Sequence, residues 1–120
     1  MNINEQQLLN LMRYFHVGKD RAIKKRELLR EIFGLEAAHD ESYNNPFDRK
    51  LREMIEHLNH DCGALIFSSS DAGYFWASSL DEGLHALEEP ERRARTQLDN
   101  VNHLKHNLQR IFGGQMKMGI

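Results

Sequence analysis

The side chains of this chain that are suited to chemistry are mainly cations, and most of them fall in two windows. The first window, residues 19–30, contains the densest run of positive charge: Lys19, Arg21, Lys24, Lys25, Arg26 and Arg30. The second window, residues 46–60, places a polar set on the outer face of a helical pattern: Arg49, Lys50, Arg52, Glu53, Glu56, His57 and Asn59. Lysine and arginine neutralise phosphates and release counterions, and arginine and asparagine bind guanine and adenine edges. Both windows favour nucleic-acid binding, with a solvated face or weak intrahelical ion pairs as the alternative.

A third basic cluster, Arg92-Arg93-x-Arg95, precedes a run of apolar residues in the C-terminal third of the chain. If a helix begins there, these cations oppose the positive end of the helix dipole. Such a placement indicates a partner that is a phosphate or an acidic protein surface. A contribution to surface solubility is the alternative.

Metal and catalytic chemistry find little support. The residues of ligand type form two groups: His57, His60, Asp61 and Cys62, and further along His103 and His106. Neither group has the second matched pair that a zinc site needs. The sequence also lacks a glycine-rich phosphate loop and a G-x-S-x-G motif, so we expect no enzyme activity, no metal and no cofactor. Tyr74 and Trp76 could stack on single-stranded bases, but strand aromatics of this kind are more often core.

Composition restricts the classes further. The chain has 120 residues, a formal net charge of −2 at pH 7 and 40% hydrophobic residues, which suits one globular domain. The net charge excludes a polycationic nucleic-acid coat but allows a locally basic face. The single cysteine, Cys62, excludes an intramolecular disulfide and favours a reducing, cytoplasmic compartment. We expect neither a signal peptide nor a membrane span.

Apolar residues at spacings of three and four predict three helices in the first half of the chain. The first runs from Asn4, its N-cap, to Phe15, and the second from Lys25 to Phe33 before Gly34. The third covers residues 46–60 and begins at Asn45-Pro46, where asparagine caps and proline occupies the first turn. The predicted core stripes are Leu8, Leu11, Met12 and Phe15; Leu28, Leu29, Ile32 and Phe33; and Phe47, Leu51, Met54, Ile55 and Leu58. Residues 35–45 are predicted to form an acidic loop.

The second half of the chain predicts a hairpin and a helical extension. Strands 64–67 and 74–77 flank the turn residues Asp71-Ala72-Gly73, with Leu65 and Phe67 on one face. Ala22-Ile23 forms an extended pair or leads into the second helix. Ser79 and Glu82 form a capping box. Because proline disrupts helix interiors, Pro90 predicts a short helix ending near residue 88 or 89 and a long one from residue 91 to Gly113-Gly114.

An apolar stripe on that long helix has the spacing of a short coiled coil. Its members are Ala94, Leu98, Val101, Leu104, Leu108 and Ile111. A single helix cannot bury such a stripe alone. It packs on its own domain or on a second copy of the chain, and we favour a homodimer, which suits a palindromic DNA site.

Three helices followed by a hairpin is the order of a winged helix-turn-helix, in which the third helix contacts the DNA bases and the hairpin is the wing. The predicted fold class is therefore mainly α with a β-hairpin (α+β). We expect a winged-helix domain over residues 1–79, a helical extension over residues 80–114 and a frayed tail over residues 115–120.

The stretches 48–55 (DRKLREMI), 63–69 (GALIFSS) and 73–77 (GYFWA) resemble the small winged-helix proteins of phages and prophages. The similarity covers residues 23–109, although Ala64-Leu65 and the wing acid Asp71 depart from the pattern. The resemblance implies DNA binding in phage replication or gene control, in a bacterial or phage-infected cell. The fold is also reused for protein–protein contacts.

The predicted duplex DNA-binding residues come from the basic window, the third helix and the wing. They are Lys19, Arg21, Lys24, Lys25, Arg26, Asn45, Arg49, Lys50, Arg52, Ser69, Ser70 and Tyr74. The competing hypothesis is a protein-interaction module, such as a replication adaptor, a helicase-loader partner or a phage inhibitor of a host or defence complex of the anti-CRISPR kind. The near-neutral charge, the acidic loop and Asp71 favour that alternative.

Overall fold

The computed structural model of the chain describes residues 2–35, 37 and 45–119. Its elements are, in chain order, α1 (Ile3–Phe15), a 3₁₀ turn (Lys19–Arg21), α2 (Lys25–Phe33), α3 (Pro46–Asp61), β1 (Ile66–Ser69), β2 (Gly73–Trp76) and α4 (Leu80–Gly119). The predicted class, mainly helical with one antiparallel hairpin and a long C-terminal helix, is confirmed. The chain forms two compact units, Met1–Ala86 and Leu87–Ile120, whose boundary lies within α4, beyond the predicted domain end at residue 79.

The core of the first unit joins the predicted stripes of α1, α2 and α3. Its fully buried side chains include Leu8, Met12, Leu28, Leu51 and Leu58. Each such residue contributes about 1.5–3 kcal/mol by leaving water. Phe15 has the spacing of the α1 stripe but is 67% exposed, because helical spacing fixes a direction around the axis and not how far along it the neighbouring elements reach.

The N-terminus of α1 is capped two residues earlier than predicted. Asn2 is the N-cap, and its Oδ1 accepts a hydrogen bond of 2.8 Å from the Glu5 amide. Asn4 lies inside the helix. Leu35 and Ala37, which were predicted to be in a loop, are helical. The remainder of that predicted loop, residues 36 and 38–44, lies outside the described residues.

The hairpin begins two residues later than predicted, and its faces differ. Ile66 pairs with Trp76 and Ser68 with Tyr74, so Ile66, and not Leu65 or Phe67, faces the helical core. The side chain of Asn59 fixes this register, because its amide donates to the Ile66 carbonyl at 2.8 Å and accepts from the Ile66 amide at 3.0 Å. A shift of one residue in a strand turns every side chain to the opposite face.

The other face of the hairpin is covered by the beginning of α4. The rings of Phe67 and Phe75 lie 6.3 Å apart on that face. A Cβ atom on Gly83 would lie 3.6 Å from the Phe67 ring and 3.6 Å from the Ala77 side chain. A side chain at residue 83 would therefore make ordinary van der Waals contact with the hairpin, which shows that α4 lies directly against this face.

The outer edge of β2 is hydrogen-bonded to the connection between α1 and α2. Ile23 and Tyr74 exchange two backbone hydrogen bonds of 2.8 Å, which confirms the extended alternative for Ala22-Ile23. The Trp76 amide donates to the His16 carbonyl at 2.7 Å. Gly73 has φ +106°, and a Cβ there would lie 2.3 Å from the Ile23 carbonyl oxygen, so only glycine fits this approach.

The predicted interruption of the C-terminal helix is wrong. One helix runs from Leu80 to Gly119 with Pro90 inside it, about 60 Å at 1.5 Å per residue. Proline removes one backbone donor, but alanine, leucine, glutamate and arginine dominate both flanks and favour helix. Gly113-Gly114 does not end the helix either, and residues 115–119 continue it. Ser79 caps the start, because its hydroxyl oxygen accepts a hydrogen bond from the Glu82 amide at 3.1 Å.

Candidate nucleic-acid interface

The outer face of α3 carries the strongest candidate surface. The Asn45-Pro46 start fixes the helix, and Leu51, Met54 and Leu58 turn one face into the core. The opposite face leaves Arg49, Lys50 and Arg52 exposed. Within the part of the chain that the structure describes, these three cations form no ion pair. Glu53 and Glu56 lie exposed on the same helix and reduce its positive potential.

One of the three cations is held against an aromatic ring. The ammonium of Lys50 lies 5.5 Å from the centroid of the Phe47 ring, a cation–π distance. This contact orients Lys50 along the first turn of α3. It leaves the ammonium exposed, so the charge remains accessible to a phosphate.

The predicted contact at Asn45 is inconsistent with its position. Asn45 is 4% exposed, its Nδ2 donates to the Ala37 carbonyl at 3.0 Å, and its Oδ1 accepts from the Phe47 amide at 2.9 Å. Both ends of its amide are therefore used within the chain. Asn59 is occupied in the same way by the backbone of Ile66, so neither asparagine is available to adenine.

His57 links α1 to α3. Its Nδ1 lies 2.8 Å from a carboxylate oxygen of Glu5, and its Nε2 lies 3.4 Å from Asp61. These contacts make it a connection between the two helices. The part of α3 that could contact a nucleic acid is therefore its N-terminal half, which carries Arg49, Lys50 and Arg52.

The cations of the first window lie beside the hairpin, and carboxylates of the chain balance the charges of Lys19 and Lys25. The ammonium of Lys19 is 3.4 Å from a carboxylate oxygen of Asp71, and Lys24 donates to the Asp71 carbonyl. Lys25 lies 3.4 Å from the carboxylate of Asp48. Arg21, Arg26 and Arg30 are exposed. Charge was visible in the sequence, but its neutralisation by a residue of the wing was not.

Asp71 lies exposed in the turn of the hairpin. The hydroxyl of Ser69 donates to its carboxylate, and this bond lowers the pKa of Asp71, with the attraction of Lys19 lowering it further. Ser69 is therefore engaged inside the turn. Ser70 is exposed and is the serine of the predicted pair that can meet a phosphate.

Tyr74 does not extend into solvent as a DNA contact requires. Its ring packs against the helical core together with Trp76, as the core alternative for these aromatics predicted. Burial raises the pKa of the Tyr74 hydroxyl, to which the negative charge of Asp48 adds, while Arg52 opposes it. Tyr74 therefore packs the hairpin onto the helical core.

The predicted dimer stripe on α4 is exposed along its whole length, Ala94, Leu98, Val101, Leu104, Leu108 and Ile111 included. Sequence reasoning missed two further members, Leu87 and Phe112, which are 44% and 46% exposed. They continue the same spacing and could have been found by extending the repeat in both directions. In the neighbouring basic cluster, Arg92 pairs with Glu89 at 3.0 Å and Arg95 pairs with Glu91, so two of its three charges are balanced within the helix.

The described residues contain no group of three or more histidine, cysteine, aspartate or glutamate side chains placed to hold a metal ion. Cys62 is exposed at the end of α3. Among the helices of the described ranges, none combines the length and the apolarity needed to cross a membrane.

Three comparisons with known proteins were made, against protein families, curated proteins and solved structures. No protein-family model, curated protein or solved structure matches this chain significantly.

Proposed function

We propose that the protein is a winged-helix protein that binds duplex DNA, with α3 entering the major groove. The observation that carries the proposal is the set Arg49, Lys50 and Arg52, three exposed cations on the N-terminal half of the helix that the fold order assigns to base reading. Arginine in this position can bind guanine in a bidentate manner. The resemblance to phage winged-helix proteins favours a role in replication or transcription control.

The wing and the basic window serve as backbone contacts in this proposal. Arg21, Lys24, Lys25 and Ser70 are accessible and flank the hairpin, and Arg26 belongs to the same surface. Contacts of this kind position a protein on a duplex without selecting its sequence. Asp71 weakens the set, which makes the expected affinity modest.

Self-association through α4 completes the proposal. The stripe from Leu87 to Phe112 exposes large apolar side chains, and the only described element of the unit that contains it is α4 itself. Contiguous apolar patches of this kind mark interaction sites. Two copies would present two winged helices, which suits a site with two half-sites.

The test is a titration of duplex DNA by fluorescence anisotropy at low and at moderate salt. The wild-type protein should bind with an affinity that falls steeply as salt rises. The double variant Arg49→Ala/Arg52→Ala should lose at least about tenfold in affinity, since a bidentate base contact contributes ~1–3 kcal/mol. The variant Arg93→Ala/Arg110→Ala, with the same loss of charge on α4, is the matched control. Unchanged binding by the α3 variant refutes this role for α3.

A protein-interaction module is the second candidate, and the outer face of α1 favours it. Ile3, Tyr14 and Phe15 are all largely exposed there, and with Leu11 they line an open apolar depression. Absence of duplex binding even at low salt would favour this function. A stoichiometric complex with a protein partner, lost on Tyr14→Ala/Phe15→Ala but not on Arg49→Ala/Arg52→Ala, would then identify the surface.

A further inference from the structure

The apolar face of α4 follows a regular heptad repeat over nearly four heptads. Leu87, Ala94, Val101 and Leu108 recur every seven residues and form the d positions. The a positions are Glu91, Leu98, Lys105 and Phe112, and all eight side chains are exposed. A repeat sustained over this length is typical of a coiled-coil seam. Leu104 and Ile111 flank the seam at the g positions.

Two of the a positions are charged, and their charges are opposite. Glu91 and Lys105 lie at equal distances of seven residues before and after Leu98. Charged residues at a positions lower the stability of the seam but specify how the helices align. The alignment of two copies therefore depends on what each charge meets on the other chain.

A parallel pair in register places identical residues opposite each other. Glu91 would then face the glutamate of the second copy, and Lys105 would face the lysine. Glu91 has a partner on its own helix, Arg95, which relieves the first repulsion. Lys105 has no carboxylate three or four residues away on either side, so its repulsion remains.

In an antiparallel pair, a positions pack against d positions of the other copy, so Leu98 faces Val101 and the centre of the pair lies between them. Each Glu91 then lies one layer, about 4.5 Å along the axis, from the Lys105 of the other copy. Each Glu91 and each Lys105 then has an opposite charge of the other copy nearby. In the same alignment Leu87 covers Phe112 of the other copy, as Leu98 covers Val101. We propose that α4 binds a second copy of this chain in antiparallel orientation, with Glu91 and Lys105 selecting that alignment. This inference rests on the proposed self-association and names its geometry.

Charge reversal tests the alignment, with sedimentation equilibrium of the full chain as the readout and circular dichroism to check helix content. Lys105→Glu should raise the dissociation constant at least about tenfold, because two opposite-charge contacts become like-charge contacts. In a parallel pair the same substitution would replace a lysine–lysine contact by a glutamate–glutamate contact, and the dissociation constant would stay unchanged. Arg110→Glu, which changes the charge outside the seam, is the matched control and should associate like the wild type.

The decisive variant is Glu91→Lys/Lys105→Glu. It breaks the pair between Glu91 and Arg95 and so adds a local cost, yet antiparallel packing predicts tighter association than Lys105→Glu alone. The proposal is overturned if the double variant associates no more tightly than Lys105→Glu alone. It is also overturned if the wild-type chain stays monomeric. The measurement contains no DNA, so a failure of duplex binding refutes the proposed nucleic-acid function and leaves this inference standing.

Discussion

Replacing Asp71 by asparagine should increase the affinity of the protein for duplex DNA. Asparagine has nearly the same shape and can still accept the hydrogen bond from Ser69. It removes the negative charge that lies 3.4 Å from the ammonium of Lys19. Because Asp71 is exposed at the wing tip, its loss should leave the free energy of unfolding close to that of the wild type.

The size of the effect follows from counterion release. If Lys19 becomes free to neutralise one additional phosphate, the slope of log K against log salt becomes steeper by ~0.9. Between 1 M and 0.1 M salt, that difference in slope amounts to about an eightfold gain in affinity. Lys24 keeps its bond to the Asp71 backbone carbonyl and should contribute less.

The assay is a salt series by fluorescence anisotropy with the wild type, Asp71→Asn and Lys19→Ala/Asp71→Asn. The double variant should lose the gain, since it lacks the released cation. Asp99→Asn, which removes the same charge from α4, controls for net charge. An Asp71→Asn protein with unchanged slope and affinity would refute the reasoning that Asp71 competes with phosphate.

Three further predictions concern stability. Asn59→Ala should lower the free energy of unfolding by about 1–3 kcal/mol in urea denaturation, because two hydrogen bonds to Ile66 are lost; a value near zero would contradict the assignment of register to this side chain. Gly73→Ala should lower the melting temperature more than Gly34→Ala, because both have positive φ but only residue 73 lacks space for a Cβ; equal losses would mean that strain alone decides. The Ser78 amide lowers the pKa of Glu82 below 4.5, so Glu82→Gln should be less stable than the wild type above that pH. The difference should disappear as the pH falls through the depressed pKa, and a difference independent of pH in thermal melts would contradict this.

The helices were predictable because their signals are local. The stripe of α3 and its Asn45-Pro46 start are read within sixteen residues, and both the helix and its cap are confirmed. The hairpin register was not predictable, since it depends on a side chain of another element, Asn59 of α3, which binds the backbone of β1. No pattern in the strand itself distinguishes Ile66 from Leu65 as the inward residue.

The candidate site was likewise predictable only in part. The cations were visible, but which of them remain available depends on contacts between distant residues, such as Lys19 with Asp71. The sequence allowed Asn45 to be either a helix cap or a residue that contacts a base. Its burial in the structure shows that it is the cap. Pro90 shows the limit of a single-residue rule, because the helix formers on both sides outweigh its penalty.

The hydrogen bonds on the outer edge of β2 have a consequence for recognition. With β1 on one side and Ile23 and His16 on the other, the wing strand is ordered before any ligand arrives. A partner that binds the hairpin and α3 would therefore meet a hairpin whose distance from α3 is already set, and little conformational entropy would remain to be lost on association. If the protein binds duplex DNA as proposed, such a preorganised surface would select among duplexes by the width and curvature of their grooves as well as by their bases.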